Sequence, residues 1–102
     1  MTKSILLACS GGYSTSMLVE RMKKVASEKG VDVVIEATAE SSIDTFADSI
    51  DVIMLGPQMA HAEKDLKAKY DLPIATIDMM DYGMMNGEKV LNTALELIEG
   101  NQ

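Results

Sequence analysis

The amino-acid sequence predicts an α/β fold built on a four-stranded parallel sheet, and three observations support this prediction. Apolar runs of strand length alternate along the chain with segments in which apolar residues recur at helical spacing. The first run is apolar at successive positions, as strands buried on both faces of a parallel sheet are. Glycine or proline stands where several segments end, as at Gly30 and Gly56-Pro57. This alternation predicts parallel strands joined by right-handed helical crossovers.

The N-terminal third of the chain predicts two strands and the helix between them. The first strand is expected at residues 3–8, where the consecutive apolar residues from Ile5 to Ala8 are typical of a central strand. A helix is expected from Ser14 or Thr15 to Glu28, because apolar side chains recur there along one stripe. Gly30 suits the left-handed position that follows many helix ends, and the β-branched residues at 31–37 predict the second strand.

The middle of the chain predicts two helices and two further strands. Ser41 and Asp44 form a loose capping box, which predicts the start of a short helix. A third strand is expected at residues 51–55, a helix at residues 59–69 and a fourth strand at residues 72–77.

The last segments complete the predicted architecture. Residues 78–86, which are rich in methionine, are expected to form a loop, and residues 87–99 show helical spacing of apolar side chains. Four strands are expected in the order 2-1-3-4, with the topological switch point between the first and third strands. The prediction is a small flavodoxin-like sandwich with helices on both faces of the sheet. Residues 1–102 are expected to form a single domain, because this length suits one hydrophobic core.

Charge and composition argue against several classes of function. The chain has sixteen acidic and nine basic residues, and its net charge of −7 disfavours binding to nucleic acid or to an anionic membrane surface. No apolar run approaches the roughly 18 residues that a membrane span requires. A single cysteine excludes an internal disulfide, which fits a reducing compartment. A cytoplasmic location is therefore expected.

The most informative stretch surrounds Cys9. This cysteine directly follows the first apolar run, and Gly11 and Gly12 come next, before the first helix begins. A glycine-containing turn at a helix N-terminus offers unpaired backbone N–H groups to an anion and favours the thiolate of a nearby cysteine. A lone cysteine can equally be a small buried apolar residue, and glycines can simply form a turn, so the spacing alone leaves both interpretations open. The position at the end of a strand, where open α/β sheets bind ligands, favours a phosphate-binding site with Cys9 as nucleophile.

The candidate site includes residues on both sides of the predicted switch point. Backbone N–H groups after Cys9 are expected to hold a phosphate, with further hydrogen bonds from side-chain hydroxyls. The candidate phosphate-binding residues are Ser10, Gly11, Gly12, Tyr13, Ser14, Thr15 and Ser16. The possible rim residues, which follow the third and fourth strands, are Pro57, Gln58, Asp78, Asp81 and Tyr82.

Other reactive side chains have simpler interpretations. His61 is the only histidine and has no companion at metal-ligand spacing, so we expect it on a helix surface and predict no metal site. Asp78 and Asp81 are better explained as an acidic loop in water than as proton donors. The methionines at 78–86 are expected to divide between the core and a surface that meets partners. The predicted chemistry requires no organic cofactor.

Three blocks of sequence resemble one protein family: LLACSGGYSTSML at residues 6–18, LGPQ at 55–58 and DYGMMNG at 81–87. The chain resembles, over essentially its whole length, the IIB components of the bacterial phosphoenolpyruvate-dependent sugar phosphotransferase system, in the lactose/cellobiose (chitobiose) family. The resemblance implies that Cys9 accepts a phosphoryl group from a phosphohistidine of a IIA protein. It also implies transfer to a sugar that enters through a membrane IIC permease. The sugar would be a β-linked disaccharide such as cellobiose or chitobiose, or lactose.

The block around Cys9 is also similar to the loop of low-molecular-weight protein tyrosine phosphatases. In that loop the cysteine is followed by five residues, an arginine and a serine or threonine. Here Thr15 occupies the arginine position and Ser16 follows it. Threonine cannot reproduce the bidentate contact of arginine with a phosphoryl group, which weakens the hydrolase hypothesis. A thiol-based redox or ligand sensor that uses Cys9 is the remaining alternative.

Overall fold

The computed structural model describes residues 2–9 and 13–101, without the side chains of residues 13 and 14. Its four strands form one parallel sheet in the order β2-β1-β3-β4, which confirms the predicted topology. β1 is hydrogen-bonded on both sides, to β2 and to β3. The strands are β1 Lys3–Cys9, β2 Val33–Ala39, β3 Val52–Leu55 and β4 Ile74–Thr76.

Helices connect the strands in the described part of the chain. The α-helices are α1 Tyr13–Lys29, α2 Ile43–Phe46, α3 Glu63–Lys69, α4 Met79–Gly83 and α5 Gly87–Gly100. Three short 3-10 segments, Glu40–Ser42, Ala47–Ser49 and Pro57–Ala62, flank α2 and precede α3. Among the described residues, no helix has the length and apolar character needed to cross a bilayer.

Successive side chains of β1 point into two hydrophobic clusters on opposite faces of the sheet. Ile5 and Leu7 pack with apolar side chains of α1 and α5, and all of these side chains together are called the first cluster below. Leu6 and Ala8 pack with α2, α3 and the Pro57–Ala62 segment, and this set is called the second cluster. Helices therefore cover both faces, as the sequence predicts. Cys9, the last residue of β1, belongs to the second cluster.

The end of α1 explains why β2 starts later than expected. Gly30 has a φ of +69°, as its position after the helix predicts. Its N–H bonds to the carbonyl of Ser27, and the N–H of Val31 bonds to the carbonyl of Ala26. This pair of bonds is a Schellman motif. Val31 is thus part of the helix terminus, and β2 begins at Val33, two residues after the predicted start.

Two predictions for the middle of the chain are wrong. The capping box at Ser41 and Asp44 does not form, because the Asp44 carboxylate accepts a hydrogen bond from the Tyr70 hydroxyl and pairs with Lys69 at 3.4 Å. The helix expected at residues 59–69 begins instead as the 3-10 segment Pro57–Ala62, in which the N–H of Met59 bonds to the carbonyl of Gly56. One side of this segment still faces the core, since Met59, Ala62 and Leu66 are buried.

The prediction of a loop at residues 78–86 is also wrong. The Asp78 carboxylate accepts a hydrogen bond from the N–H of Met80 at 2.9 Å and caps the start of α4. Methionine is a good helix former, so capping suffices to start a short helix here. Met85, with a φ of +54°, separates this helix from α5.

Candidate functional site

Cys9 lies at the carboxyl end of the central strand, as predicted. It pairs with Ala39 of β2, while the preceding Ala8 pairs with both Thr38 and Leu55. Only 1% of Cys9 is exposed. The sheet therefore fixes the direction from which the sulfur can be approached, because the strand that carries Cys9 is held on both sides.

A chain of hydroxyl groups reaches the sulfur from α1 and α4. The Thr15 hydroxyl donates a hydrogen bond to Cys9 Sγ, with 2.7 Å between the two heavy atoms. The Tyr82 hydroxyl oxygen lies 3.1 Å from Thr15 Oγ1. Thr15 is 1% exposed and is the one buried polar side chain among the described residues. A hydroxyl donor at this position stabilises negative charge on the sulfur.

The end of β3 approaches Cys9 from the other side. The N–H of Gly56 bonds to the carbonyl of Ala8 at 2.9 Å. A β-carbon added to Gly56 would lie 3.2 Å from the β-carbon of Cys9 and 2.5 Å from Gln58 Oε1. Gly56 thus approaches Cys9 closely without an unusual φ, and its missing side chain leaves space beside the cysteine.

Part of the predicted phosphate-binding segment lies outside the described residues. This applies to Ser10, Gly11 and Gly12, and to the side chains of Tyr13 and Ser14. Thr15 and Ser16 lie in the first turn of α1, where Thr15 is buried and Ser16 is exposed. The role of this segment as a phosphate-binding loop stays a prediction.

The possible rim residues differ in how they are held. Pro57 is half-buried and Gln58 is exposed, at the start of the 3-10 segment next to Gly56. Tyr82 reaches Thr15, whereas Asp78 caps α4 and Asp81 pairs with Lys89 at 3.5 Å. Tyr82 is the rim residue that the structure connects to Cys9 through hydrogen bonds.

Sequence reasoning did not identify the contact between Tyr82 and Thr15. The two residues are 67 positions apart, and the contact depends on α4, which forms where the sequence predicts a loop. The available signal was Asp78, which precedes a run of helix-forming residues and caps it. Recognising that cap would have placed Tyr82 in a helix.

The remaining candidates are His61, a metal site and the methionines near α4. His61 is exposed in the Pro57–Ala62 segment. Within residues 2–9 and 13–101, no group of three metal-ligating side chains comes together. Met79, Met80 and Met84 are 70–75% exposed on and just after α4, whereas Met85 packs against the first cluster. The predicted division of these methionines between surface and core is confirmed.

Comparison with known proteins identifies a family that shares this fold and sequence. The family model described as "PTS system, Lactose/Cellobiose specific IIB subunit" matches residues 4–93. The galactose-specific EIIB component of Lactococcus lactis subsp. cremoris is 42% identical, over 94% of this chain and 96% of the relative. The cellobiose-specific EIIB component of Lactococcus lactis subsp. lactis is 41% identical, with the same coverage of both chains.

A solved structure supports the same relationship. The solution structure of the cellobiose-specific phosphotransferase IIB component of Borrelia burgdorferi has a TM-score of 0.85 and 40% identity, and the match covers 100% of this chain and 96% of the other. Agreement in both sequence and fold extends over nearly the whole length of each protein. The chain therefore belongs to the lactose/cellobiose-specific IIB family of the sugar phosphotransferase system, whose members are phosphotransferases that carry a phosphoryl group during sugar uptake.

Proposed function

We propose that Cys9 is the residue that carries the phosphoryl group. In this proposal it accepts the group from a phosphohistidine of a IIA protein and transfers it to a sugar at a IIC permease. The observation that carries the proposal is the buried Thr15 hydroxyl, which donates a hydrogen bond to Cys9 Sγ at the end of the central strand. A polar side chain buried against a sulfur suits a site where that sulfur bears charge.

Two displacement steps at phosphorus make up the reaction. In the first, a lone pair of the Cys9 thiolate forms the S–P bond while the P–N bond of the phosphohistidine breaks, and the bonding electrons return to the imidazole nitrogen. In the second, a sugar hydroxyl oxygen attacks phosphorus, its proton passes to a base, and the S–P bond breaks with its electron pair on sulfur. Negative charge is thus present on Sγ at the start of the first step and returns at the end of the second.

The segment after Cys9 is proposed to bind the phosphoryl group. Its backbone N–H groups, from Ser10 to Ser16, are the proposed donors, because this segment leads in sequence into α1, a helix of 17 residues with a positive N-terminal dipole. These donors stabilise the charge of the phosphoryl oxygens without a metal ion or an organic cofactor. Pro57 and Gln58 form the rim on the β3 side, and Tyr82 forms it on the α4 side.

The exposed methionines of α4 suit a surface that partners cover. Met79, Met80 and Met84 are flexible and apolar, and they lie next to Tyr82, which reaches the site through Thr15. A carrier must present the same nucleophile to a donor and an acceptor in turn, so an adaptable surface beside that nucleophile is useful. We assign this surface to contacts with the IIA and IIC proteins on the cytoplasmic side of the membrane.

The sugar is proposed at the level of its class. Relatives of nearly equal identity carry the names of different sugars, galactose and cellobiose. Overall similarity therefore does not select one of them. A β-linked disaccharide such as cellobiose or chitobiose, or lactose, fits the family, and selection among these is expected chiefly in the permease.

Hydrolase activity is a poorer fit to the site. A phosphatase needs a cation at the position of Thr15 and a proton donor near the leaving group. Thr15 is uncharged and its hydroxyl is directed to Cys9 Sγ, and the carboxylates of Asp78 and Asp81 are occupied by the Met80 N–H and by Lys89. The phosphorylated protein should therefore persist in water and lose its phosphate only to a sugar and permease.

Intact-mass measurement after incubation with phosphoenolpyruvate, the general phosphotransfer proteins and a IIA protein tests the proposal. We expect one added phosphoryl group in the wild type and none in Cys9→Ala. His61→Gln is the matched control, because it removes the only histidine from an exposed position and should leave the added mass unchanged. Phosphorylation of Cys9→Ala, or its loss in His61→Gln alone, would contradict the assignment to Cys9.

A further inference from the structure

We propose that Tyr82 is a positioning residue that directs the Thr15 hydroxyl proton toward Cys9 Sγ. This inference rests on the proposed role of Cys9 as nucleophile. It assigns a function to a side chain on α4 that lies 67 residues from Thr15 in sequence and makes hydrogen-bond contact with it.

The direction of the hydrogen bonds follows from counting protons. A threonine hydroxyl has a single proton, and the contact at 2.7 Å uses it as the donor to Cys9 Sγ. The contact at 3.1 Å between Thr15 Oγ1 and the Tyr82 hydroxyl must then have the tyrosine as donor. The three groups form a directed chain, from the Tyr82 O–H to Thr15 Oγ1 and from the Thr15 O–H to sulfur.

The burial of these groups makes the direction of the hydrogen bonds important. Thr15 and Cys9 are each 1% exposed, and Tyr82 is half-buried against the first cluster. Where water has little access, a hydroxyl rotor is set by the donors and acceptors around it. Without the Tyr82 donor, Thr15 Oγ1 lacks one partner and its proton is less restricted to the direction of the sulfur.

The chain of hydroxyl groups stabilises the two states in which the sulfur carries negative charge. A donor aimed at Sγ stabilises the thiolate that attacks the phosphohistidine and the thiolate that leaves when the sugar takes the phosphoryl group. Donation from Tyr82 polarises the Thr15 hydroxyl and strengthens the bond that it donates. Tyr82 therefore acts on the chemistry through Thr15 and does not itself contact the sulfur.

The placement of Tyr82 depends on a capped helix. Asp78 caps α4, and the N–H of Tyr82 bonds to the carbonyl of Asp78 at 2.9 Å. The Asp81 carboxylate of α4 is paired with Lys89 of α5, while Glu36 of β2 and His61 in the Pro57–Ala62 segment are exposed. His61→Gln is included as a check on any pH profile, because it removes the only histidine of the sequence.

Protonation of Cys9 can be followed directly, because the chain has one cysteine. Incorporation of 13Cβ-labelled cysteine yields a single labelled site, whose chemical shift reports the change from thiol to thiolate as pH rises. Loss of one hydrogen bond in Tyr82→Phe should raise the midpoint of this titration by about 0.5–1 pH unit. Tyr70→Phe removes a tyrosine hydroxyl that bonds Asp44 and should leave the midpoint unchanged.

Variants of Thr15 separate positioning from a general structural effect. Thr15→Val removes the donor to sulfur and should raise the midpoint by more than Tyr82→Phe does, whereas Thr15→Ser keeps a hydroxyl and should stay close to the wild type. If Tyr82 acts through Thr15, adding Tyr82→Phe to Thr15→Val produces no further shift. If Tyr82→Phe alone is poorly folded, the comparison of Thr15→Val with Thr15→Ser still tests the proposal. It establishes whether the chain of hydroxyl groups acts on the sulfur at all.

The outcomes distinguish this inference from the proposed function. An unchanged midpoint in Tyr82→Phe, or an equal shift in the Thr15→Val background, would overturn the positioning role even if Cys9 is phosphorylated normally. A raised midpoint in Tyr82→Phe, together with no phosphoryl uptake by wild-type Cys9, would support the chain of hydroxyls and reject the carrier function.

Discussion

The two faces of the sheet are covered by different kinds of structure. On one face, α1 with 17 residues and α5 with 14 residues pack over the first cluster. On the other face, α2 with four residues, α3 with seven and the 3-10 segments pack over the second cluster. Cys9 belongs to the second cluster, whereas Thr15, which bonds its sulfur, and Tyr82, which contacts Thr15, come from helices on the side of the first.

This difference suggests a separate role for each face: one holds side chains in a fixed direction, and the other leaves space beside Cys9. Long helices fix their side chains over several turns, so the face formed by α1 and α5 can hold a hydroxyl in a defined direction. Short segments bury fewer side chains and leave room at their ends, as Gly56 does beside Cys9. The site lies where the two kinds of packing meet, at the carboxyl end of β1.

Truncation of one leucine on each face is the strongest test of this comparison. Leu91→Ala, at a fully buried position of the first cluster, should lower the free energy of unfolding by about 3–5 kcal/mol. Leu66→Ala, in the second cluster and 8% exposed, should cost about 2 kcal/mol, because its surroundings can relax more easily. Urea unfolding monitored by circular dichroism measures both values. An equal or larger loss in Leu66→Ala would show that the face formed by shorter segments is packed just as tightly.

A glycine pair tests the close contact between the two long helices. A β-carbon on Gly87 would lie 2.9 Å from the carbonyl carbon of Arg21 and the nitrogen of Met22, which are backbone atoms of α1. Gly87→Ala should therefore lower the free energy of unfolding by about 1–3 kcal/mol. In Gly83→Ala the new methyl group meets nothing within 4 Å, so stability should stay the same or rise by up to about 1 kcal/mol. Similar losses in both variants would place the cost in the local backbone and not in the contact between α1 and α5.

The smallest expected effect on stability concerns the carboxylate of Glu63, which lies in α3. The Thr76 hydroxyl donates to Glu63 Oε1 at 2.7 Å and lowers the pKa of that carboxyl group, with a smaller contribution from Lys67. A lowered pKa in the folded state stabilises the protein above the ordinary value, and this stabilisation is lost as pH falls through the folded value. Thr76→Val should therefore lose about 0.5 kcal/mol at neutral pH. The difference from wild type should shrink below about pH 4.5.

The control for this measurement is Glu63→Gln, which removes the titrating group. Between about pH 3 and pH 6, its thermal midpoint should depend less on pH than that of the wild type. This window brackets the ordinary pKa of a glutamate side chain, which is about 4. If Thr76→Val stays equally far below the wild type at every pH in this window, the hydrogen bond does not act on the ionised form of Glu63.

Most of the fold could be predicted from the sequence because apolar periodicity records which side chains face the core. The apolar residues of β1 and the stripe of α1 that includes Leu18 and Met22 indicate which surfaces are buried. They do so wherever each element begins or ends. The ends themselves depend on hydrogen bonds that periodicity does not record. Val31 has a strand-forming side chain, yet its N–H bonds to the carbonyl of Ala26 at the end of α1, so β2 starts two residues later than predicted.

The candidate site was predictable in part, for the same reason. Cys9 is placed by its own strand, and Gly56 is placed by the strand next to it, so sequence position and topology suffice for both. Tyr82 is different, because its role depends on a contact with Thr15 across 67 residues and on a short helix that Asp78 caps. Pairwise contacts of that kind follow from side-chain geometry and leave no periodic signal in the chain.

The exposed methionines of α4 have a chemical consequence apart from binding. Peroxide oxidises an accessible thioether to a sulfoxide, which adds a polar oxygen to an apolar side chain. Met79, Met80 and Met84 are 70–75% exposed, whereas Cys9 is 1% exposed. An oxidant therefore reaches these thioethers more readily than it reaches the Cys9 sulfur. Under the proposed role of this surface, its oxidation would weaken contact with partners, and methionine sulfoxide reductases would reverse the damage.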